Sequence, residues 1–263
     1  MRRERFETPG PLLLTVRIPS GRIELETVAG TETVVELEAS PELEEQTRIE
    51  LRPRHDGHEV SVVLDKRLGL FRGLRGDMRL RVTAPPGADV ELSTASADVR
   101  GRGSFGALDV NTASGDVTFE TVGGTAEINS ASGDVKLSRV EDALTVNTAS
   151  GDVEVEYLGG SGKVRAASGD VSIDEAEASL KVQTASGDVE IGSVSEGEIA
   201  LQTASGDIEV AVKKGSKLWI DARSMSGETS SELEVGDAAP DGEGPLVEVR
   251  ATAMSGDIQV KRA

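Results

Sequence analysis

Aspartates recur at a fixed interval along this 263-residue chain, and their carboxylates are the first groups that could do chemistry. Most of them follow the letters "ASG", as in "NTASGDV" at residues 111–117 and again at 147–153. The residues that precede them are eighteen apart from Ala97 to Gly187, and the next gap, to Gly206, is nineteen. The aspartates concerned are Asp98, Asp116, Asp134, Asp152, Asp170, Asp188, Asp207 and Asp257. A period held this long indicates a stacked repeat.

Stacked aspartates repel one another unless something offsets their charge. At a spacing of ~4.8 Å between neighbouring strands, two unit charges repel by about 0.9 kcal/mol in water and about 3.5 kcal/mol at an effective dielectric of 20. Backbone amides offset this cost if each aspartate caps its own corner of the repeat. We predict this structural role, and therefore no metal site and no cofactor.

Calcium bound between coils is the alternative, because carboxylate and carbonyl oxygens are its usual ligands. The candidate calcium ladder consists of Asp116, Asp134, Asp152, Asp170 and Asp188. The known calcium-binding solenoid repeat is a nine-residue unit with more glycine than this one, so the two patterns differ.

A polysaccharide-acting β-helix enzyme is a second alternative, since such enzymes can use clustered carboxylates beside a basic group. That chemistry needs an irregular groove, whereas residues 97–206 repeat without long insertions. The two histidines, His55 and His58, lie in a polar "RHDGH" stretch that is typical of a turn between strands, and no nucleophile–base pair is visible. We predict that the protein is not an enzyme and has no catalytic residues.

A basic and apolar segment, residues 66–75, stands out in this acidic chain. Its candidate contact residues are Lys66, Arg67, Leu70, Phe71, Arg72, Leu74 and Arg75. Basic and apolar residues together suit an acidic protein partner or peripheral contact with an anionic membrane. Alternatively, the segment is a connecting loop whose apolar residues cover an open end of the fold.

Composition narrows the classes of partner and location. A formal net charge of −19 leaves no basic excess to displace counterions from phosphates, which argues against nucleic acid. The absence of cysteine excludes disulfides and thiolate metal sites. The apolar run from Leu12 to Val16 is too short for a signal-peptide core, and no stretch approaches the ~20 apolar residues of a membrane span. We therefore expect a cytoplasmic protein.

Each repeat alternates apolar and polar residues, as half-buried strands do. In "DVTFETVGGTAEINSASG" the alternating apolar residues are Val117 and Phe119, then Ala126 and Ile128. Eighteen residues are too few for a βαβ unit, and the frequent glycines argue against helices. The glycine of "SGD" can take a positive φ and turn the corner, after which Val117 and its equivalents point inward. We predict an all-β fold, a single-stranded parallel β-helix or β-solenoid with about 18 residues per coil.

The repeat also divides the chain. Residues 1–90 lack the "ASGD" period but are strand-like, and we interpret them as a β-rich N-terminal cap that is continuous with the solenoid. Residues 91–263 form the repeat region, with regular coils over 97–206 and looser coils to the C-terminus. Exposed strand edges promote association, so we expect the N-terminal region and the segment after residue 236 to blunt both ends. The protein should then be a monomer or a small oligomer.

The stretch "MRLRVTAPPGADVELSTASADVRGRG", the repeated "TASGDV" and the final "TAMSGDIQVKR" resemble the bacterial "putative adhesin" family of β-strand-repeat domains of unknown function. The resemblance runs from about residue 11 to the end. It implies a β-helix of parallel strands, right-handed in form, and supplies no catalytic residues. We predict a non-catalytic scaffold or protein-interaction module, adhesin-like in character. A calcium-dependent adhesive module and a polysaccharide-acting enzyme are the alternatives.

Overall fold

A computed structural model describes residues 1–64, 78–231 and 244–263 of the chain. It is all-β, with most strands running parallel in extended sheets, as predicted. The chain divides into two compact units, unit 1 (Met1–Gly133) and unit 2 (Asp134–Ala263). The expected boundary between a cap and a repeat region near residue 90 stays a prediction.

The described part of unit 1 forms two sheets and a short helix. Its elements are β1 (Arg2–Glu7), β2 (Leu12–Arg17), β3 (Ser20–Thr27), β4 (Glu32–Glu38), α1 (Pro41–Gln46), β5 (Thr47–Pro53), β6 (His58–Leu64), β7 (Arg79–Ala84), β8 (Asp89–Thr94), β9 (Ser96–Phe105), β10 (Leu108–Thr112), β11 (Val117–Val122) and β12 (Ala126–Ser132). Within the unit, sheet 1A has the order β1-β4-β7-β3-β9-β11 and sheet 1B the order β5-β6-β2-β8-β10-β12.

Strands β2 and β3 lie inside the sheets of unit 1, whereas β1 and β5 are outermost. Strand β2 pairs in parallel with both β6 and β8, and β3 pairs in parallel with both β7 and β9. Strands β1, β4 and β5 pair antiparallel instead. Strands therefore make up most of the described part of the first ninety residues.

The core of unit 1 holds a pair of aromatic rings between its thin layers. Phe105 and Phe119 are each 1% exposed, and their rings meet edge to face with centroids 5.2 Å apart. Gly101 makes room for them, since a Cβ at this position would lie 2.2 Å from the Phe119 ring. This pair supplies bulk that the otherwise aliphatic core lacks.

Unit 2 repeats a simpler plan, with consecutive strands alternating between two sheets. Its strands are β13 (Val135–Val140), β14 (Leu144–Ser150), β15 (Val153–Leu158), β16 (Gly162–Ser168), β17 (Val171–Ala176), β18 (Leu180–Ser186), β19 (Val189–Val194), β20 (Gly197–Ser205), β21 (Ile208–Val212), β22 (Lys217–Ser224), β23 (Thr229–Ser231), β24 (Leu246–Ser255) and β25 (Ile258–Arg262). Within the unit, sheet 2A has the order β13-β15-β17-β19-β21-β25-β23 and sheet 2B the order β14-β16-β18-β20-β24-β22.

Register in unit 2 stacks equivalent residues directly on one another. Val135 pairs with Val153, and Val153 pairs in turn with Val171, so partners are eighteen residues apart. The column that follows the corner motif is at most 1% exposed throughout: Val135, Val153, Val171, Val189, Ile208 and Ile258. Full burial of one such side chain stabilises the fold by about 1.5–3 kcal/mol. These inward positions agree with the sequence pattern.

The end of the chain departs from this simple order. Strand β24 pairs in parallel with β20 on one side and with β22 on the other, and β25 lies in the same way between β21 and β23. The last two strands are thus inserted one level before β22 and β23, which precede them in sequence. Their inward residues, such as Val249 and Val260, are at most 1% exposed.

Candidate functional site

The corner aspartates of unit 2 form a hydrogen-bonded ladder along the stack. The Oδ1 atom of Asp134 accepts a hydrogen bond from the backbone N–H of Asp152 at 3.0 Å, and Asp152 accepts one from Asp170 at 2.9 Å. The ladder continues through Asp188, Asp207, Asp257 and Glu228 with amide-to-Oδ1 distances of 2.7–2.9 Å. Each carboxylate therefore fastens its own coil to the next one.

The ladder differs from the expected geometry in one respect. Each aspartate was predicted to cap its own corner, whereas its Oδ1 receives the amide of the equivalent aspartate one coil further on. Stacking in register is the reason, because it places the backbones of equivalent aspartates about one strand spacing apart, within reach of the side chain. An amide bonded to an ionised acceptor gives a stronger, charge-assisted bond, which offsets the repulsion within the column.

The calcium alternative stays a prediction. Among the residues that the structure describes, no group of three or more histidine, cysteine, aspartate or glutamate side chains is placed to hold a metal ion. Four members of the candidate ladder, Asp134, Asp152, Asp170 and Asp188, are exposed and use Oδ1 for the inter-coil bond. The fifth, Asp116, lies in unit 1 and also has an interaction partner.

The corner glycines meet two separate demands. Gly169 has a φ of +125°, a left-handed region that disfavours a side chain. A Cβ at Gly169 would also lie only 2.2 Å from the carbonyl oxygen of Gly151 in the preceding coil. The predicted positive φ is therefore confirmed here, and the close approach of consecutive coils is a second reason for glycine.

The basic and apolar segment lies outside the described residues. The predicted contact residues there are Lys66, Arg67, Leu70, Phe71, Arg72, Leu74 and Arg75, and their roles stay predictions. The histidine stretch is described: His55 lies in the turn before β6, and His58 begins that strand. The backbone N–H of Arg54 donates to the carbonyl of Gly57 at 2.9 Å, as expected of a turn.

A basic strip that the sequence analysis missed lies on the outer face of sheet 2B. We define it as Lys163 and Arg165 on β16 with Lys181 on β18. Lys163 and Lys181 are paired directly in register, so two like charges lie side by side. Arg165 donates from Nε to Gln183 at 3.4 Å, and Gln183 donates to Gln202 at 2.7 Å. The eighteen-residue spacing of the two lysines was the signal that could have revealed them.

The outer face of sheet 2A carries the opposite charge. Strands β15, β17 and β19 present the exposed carboxylates of Glu154, Glu156, Asp174 and Glu190. Lys136 donates from Nζ to Glu154 at 2.6 Å, and this hydrogen bond raises the pKa of the lysine. Unit 2 thus has faces of opposite sign on its two sheets.

The single tyrosine of the chain lies in a cluster of charges at one margin of sheet 2A. The guanidinium of Arg139 lies 3.7 Å from the centroid of the Tyr157 ring and is bonded to Glu141 at 2.5 Å. The pKa of the Tyr157 phenol is raised, mainly by a hydrogen bond with Glu177 and to a smaller extent by partial desolvation. The arrangement favours the neutral phenol over the phenolate.

In unit 1, an ion-pair row crosses the outer face of sheet 1A. Arg81 donates to Glu24 at 2.9 Å, and Glu24 pairs in register with Arg100 on its other side. The hydrogen bond from Arg81 is the largest cause of the lowered pKa of Glu24. A small open cleft lies over this row and is lined also by Arg102. Its charges largely neutralise one another.

These features together define a β-solenoid repeat protein whose corner residues stabilise the stack. In the described residues, no helix is long and apolar enough to cross a membrane. Residues 13–161 and 160–261 match the model of the Toastrack DUF4097 family, and the chain belongs to that family, whose domain is of unknown function. The resemblance drawn from the sequence is therefore confirmed.

A comparison with solved structures gives matches that cover nearly the whole chain at low identity. A "putative adhesin" from Bacteroides fragilis is 14% identical over 98% of this chain and 96% of its own, with a TM-score of 0.49. A "putative cell adhesion protein" from Clostridium sporogenes is 13% identical over 100% and 99%, with a TM-score of 0.27. A "putative adhesin" from Parabacteroides merdae is 9% identical over 98% and 95%, with a TM-score of 0.31. Comparison with curated proteins gave no match.

Proposed function

We propose that this chain is a non-catalytic, adhesin-like scaffold that binds a protein partner. The corner ladder is the observation that carries the proposal. The carboxylates best suited by number and spacing to catalysis or metal binding accept backbone hydrogen bonds between coils, as Asp134 does from Asp152. These carboxylates therefore stabilise the stack. The outer faces of the sheets are the surfaces that a partner would contact.

For the architecture we propose a right-handed, single-stranded parallel β-helix with about 18 residues per coil. Consecutive strands of unit 2 alternate between its two sheets, and in-register partners such as Val135 and Val153 are eighteen residues apart. Both observations support this coil size. The right-handed preference of crossovers between parallel strands supports the hand.

The basic strip is the contact surface that we assign to the partner. Like charges that lie directly opposite on neighbouring strands destabilise a sheet, so the pairing of Lys163 with Lys181 costs stability in the free protein. An acidic partner would relieve that repulsion by placing carboxylates between the two ammonium groups. Electrostatic complementarity of this kind sets the specificity and the association rate of a complex.

A matched pair of double variants tests the contact surface. Lys163→Glu with Lys181→Glu inverts the strip, whereas Lys213→Glu with Lys214→Glu makes the same charge change in the exposed turn after β21. The proteins would be immobilised, exposed to bacterial extract, and compared for the acidic proteins that they retain. We expect the strip variant to lose at least about tenfold of the binding that the wild type and the turn variant keep. Equal binding by all three proteins would refute the assignment.

Two expectations about location and surface stay open to direct measurement. The cytoplasmic location predicted from the sequence is tested by cell fractionation with an antibody to the chain. Contact of residues 66–75 with an anionic membrane is tested by vesicle sedimentation with and without those residues replaced by a Gly/Ser linker. Neither outcome alters the role of the basic strip.

A further inference from the structure

Strand β22 is the outermost strand of sheet 2B, and one of its edges is open among the described residues. On its other edge the backbone N–H of Lys217 donates to Pro245 at 2.9 Å, and that of Met225 donates to Ala253 at 3.1 Å. Backbone groups alternate in direction along a strand. The odd-numbered residues therefore face β24, and the even-numbered residues Leu218 and Ile220 direct their N–H and C=O groups to the open edge.

The side chains of β22 are covered much less than those of its neighbour. Leu218 and Ile220 point to the interior of the stack but are only half-buried, whereas their register partners in β24, Val247 and Val249, are 0% exposed. On the opposite face of the strand, Trp219 is 47% exposed. Apolar surface that could still be buried is worth about 25 cal/mol per Å². This edge gains stability from any added strand.

The outermost strand of the corresponding sheet in unit 1 is protected by comparison. Strand β5 ends in Pro53, and the guanidinium of Arg2 donates to the carbonyl of Thr47 at 2.6 Å. The short helix α1 also precedes this strand and buries Leu43. Proline, charged groups and covering elements are the usual means of blunting a sheet edge. Among the described residues, neither a proline nor a covering element lies on the open edge of β22, and its charged side chains are Lys217, Asp221 and Arg223.

We propose that β22 pairs antiparallel with β22 of a second copy of this chain. The five residues "KLWID" are self-complementary when the two-fold axis passes through Trp219. In that register Lys217 faces the partner's Asp221, Leu218 faces the partner's Ile220, and Trp219 faces the partner's Trp219. Opposite charges thus face one another and apolar side chains face apolar side chains, and both kinds of cross-strand pair are favourable.

The backbone directions fit the same register. Leu218 and the partner's Ile220 both direct their backbone groups to the shared edge, so they form a hydrogen-bonded pair. Trp219 and the partner's Trp219 then form a non-hydrogen-bonded pair, in which side chains approach most closely. About four backbone hydrogen bonds result from the two symmetric pairs. Asp221 already accepts from Arg223 at 2.9 Å and retains acceptor capacity for the partner's Lys217.

A two-fold contact closes on itself and yields a dimer, because the same edge is used by both copies. A second copy is favoured over an unrelated strand because the complementarity lies within one sequence. Such a dimer lies within the predicted range of a monomer or small oligomer and does not grow into polymers.

Sedimentation velocity of the full chain over a series of concentrations, at about 0.15 M salt to screen the net charge, tests the dimer. Trp219 is the only tryptophan, so its emission reports the contact directly and should shift to shorter wavelength as the dimer forms. A chain that stays monomeric up to about 1 mM would overturn the proposal.

Charge variants test the register. Lys217→Glu and Asp221→Lys each place like charges opposite one another, so each variant alone should be monomeric. An equimolar mixture of the two should form a heterodimer, because each introduced charge then faces its opposite. Lys214→Glu, which makes the same charge change in the preceding turn, should leave the wild-type dimer intact. Failure of the mixture to associate would rule out this register.

Ile220→Pro separates edge pairing from folding. The N–H that it removes points away from β24, and proline is tolerated at such an edge position. We expect a folded monomer with circular dichroism like that of the wild type. A dimer that persists would refute pairing through β22. Replacing residues 232–243 with a Gly/Ser linker is the final arm: if only that variant dimerises, those residues occupy the edge and the proposal is overturned.

Discussion

Gly169 shows how one residue carries both a backbone and a packing requirement. Gly169→Ala forces a side chain into a left-handed conformation at a cost of about 1–2 kcal/mol. It also places a methyl group against the carbonyl of Gly151. Overpacking by about one methylene typically costs a further 1–3 kcal/mol of stability. We expect the free energy of unfolding to fall by about 3 kcal/mol in chemical denaturation.

Gly215→Ala is the matched control for this variant. Gly215 has a φ of +89°, but a Cβ there would meet no atom within 4 Å. Its substitution should therefore cost only the conformational term, about 1–2 kcal/mol. Equal losses at the two positions would show that the contact between consecutive coils is not tight.

Tyr157 offers a direct reading of electrostatics at one residue. Because it is the only tyrosine, the absorbance change of phenolate formation on raising the pH reports this group alone. We expect a midpoint above the usual value of about 10, since the hydrogen bond with Glu177 raises the pKa. A raised pKa contributes stability below the unfolded value, and that contribution is lost as the pH rises through the folded value.

Glu177→Gln tests the cause of the shift. It removes the negative charge next to the phenol, so the midpoint should move down towards the ordinary value. Glu190→Gln makes the same charge change on the outer face of sheet 2A and should leave the midpoint close to that of the wild type. If both variants behave alike, the shift reflects the general acidity of the protein and not the bond with Glu177.

At the scale of elements, the inserted position of β24 makes a prediction about two paired residues. Val249 and Ile220 are register partners, but Val249 is 0% exposed while Ile220 is half-buried. Val249→Ala should cost about 2 kcal/mol, because the cavity it leaves is enclosed on both sides. In the monomer, at low protein concentration, Ile220→Ala should cost less than about 1 kcal/mol, although it removes more atoms, because the half-buried site leaves no enclosed cavity. The reverse order in thermal or denaturant unfolding would place β22, and not β24, inside the stack.

The order of these last strands could not be predicted from the sequence. Spacing of eighteen residues indicates which residues stack in regular coils, and it correctly placed Val135 above Val153. After Gly206 the spacing widens, and the alternation in β22 and in β24 is compatible with either level of the stack. Only the packing of Val249 against Ile199 on one side and Ile220 on the other decides it.

The candidate site was predictable to a similar extent. The "SGD" letters correctly indicated corners with positive φ, as at Gly169. They did not show that the carboxylate of Asp152 bonds to the amide of Asp170, because that contact depends on the distance between coils. The basic strip was missed for the same reason: Lys163 and Lys181 become neighbours only through the register of β16 and β18.

At the scale of the whole molecule, the net charge of −19 complicates any test for calcium. A strongly acidic protein is stabilised by every divalent cation through screening of its self-repulsion. A rise in melting temperature on adding calcium is therefore not sufficient evidence for a site. Magnesium is the matched control, since it supplies the same charge but prefers octahedral coordination and keeps its own water ligands.

We predict that the melting temperature is the same in calcium as in magnesium at equal ionic strength. Both values should exceed the value in chelator only by the effect of general charge screening. The inter-coil hydrogen bonds already offset the repulsion between aspartates, so no cation is required. A calcium ladder would instead give a higher value in calcium alone. That excess would disappear in the double variant Asp152→Asn with Asp170→Asn, which keeps the Oδ1 acceptors but removes two charges. Such a result would replace the scaffold proposal with a calcium-dependent adhesive module.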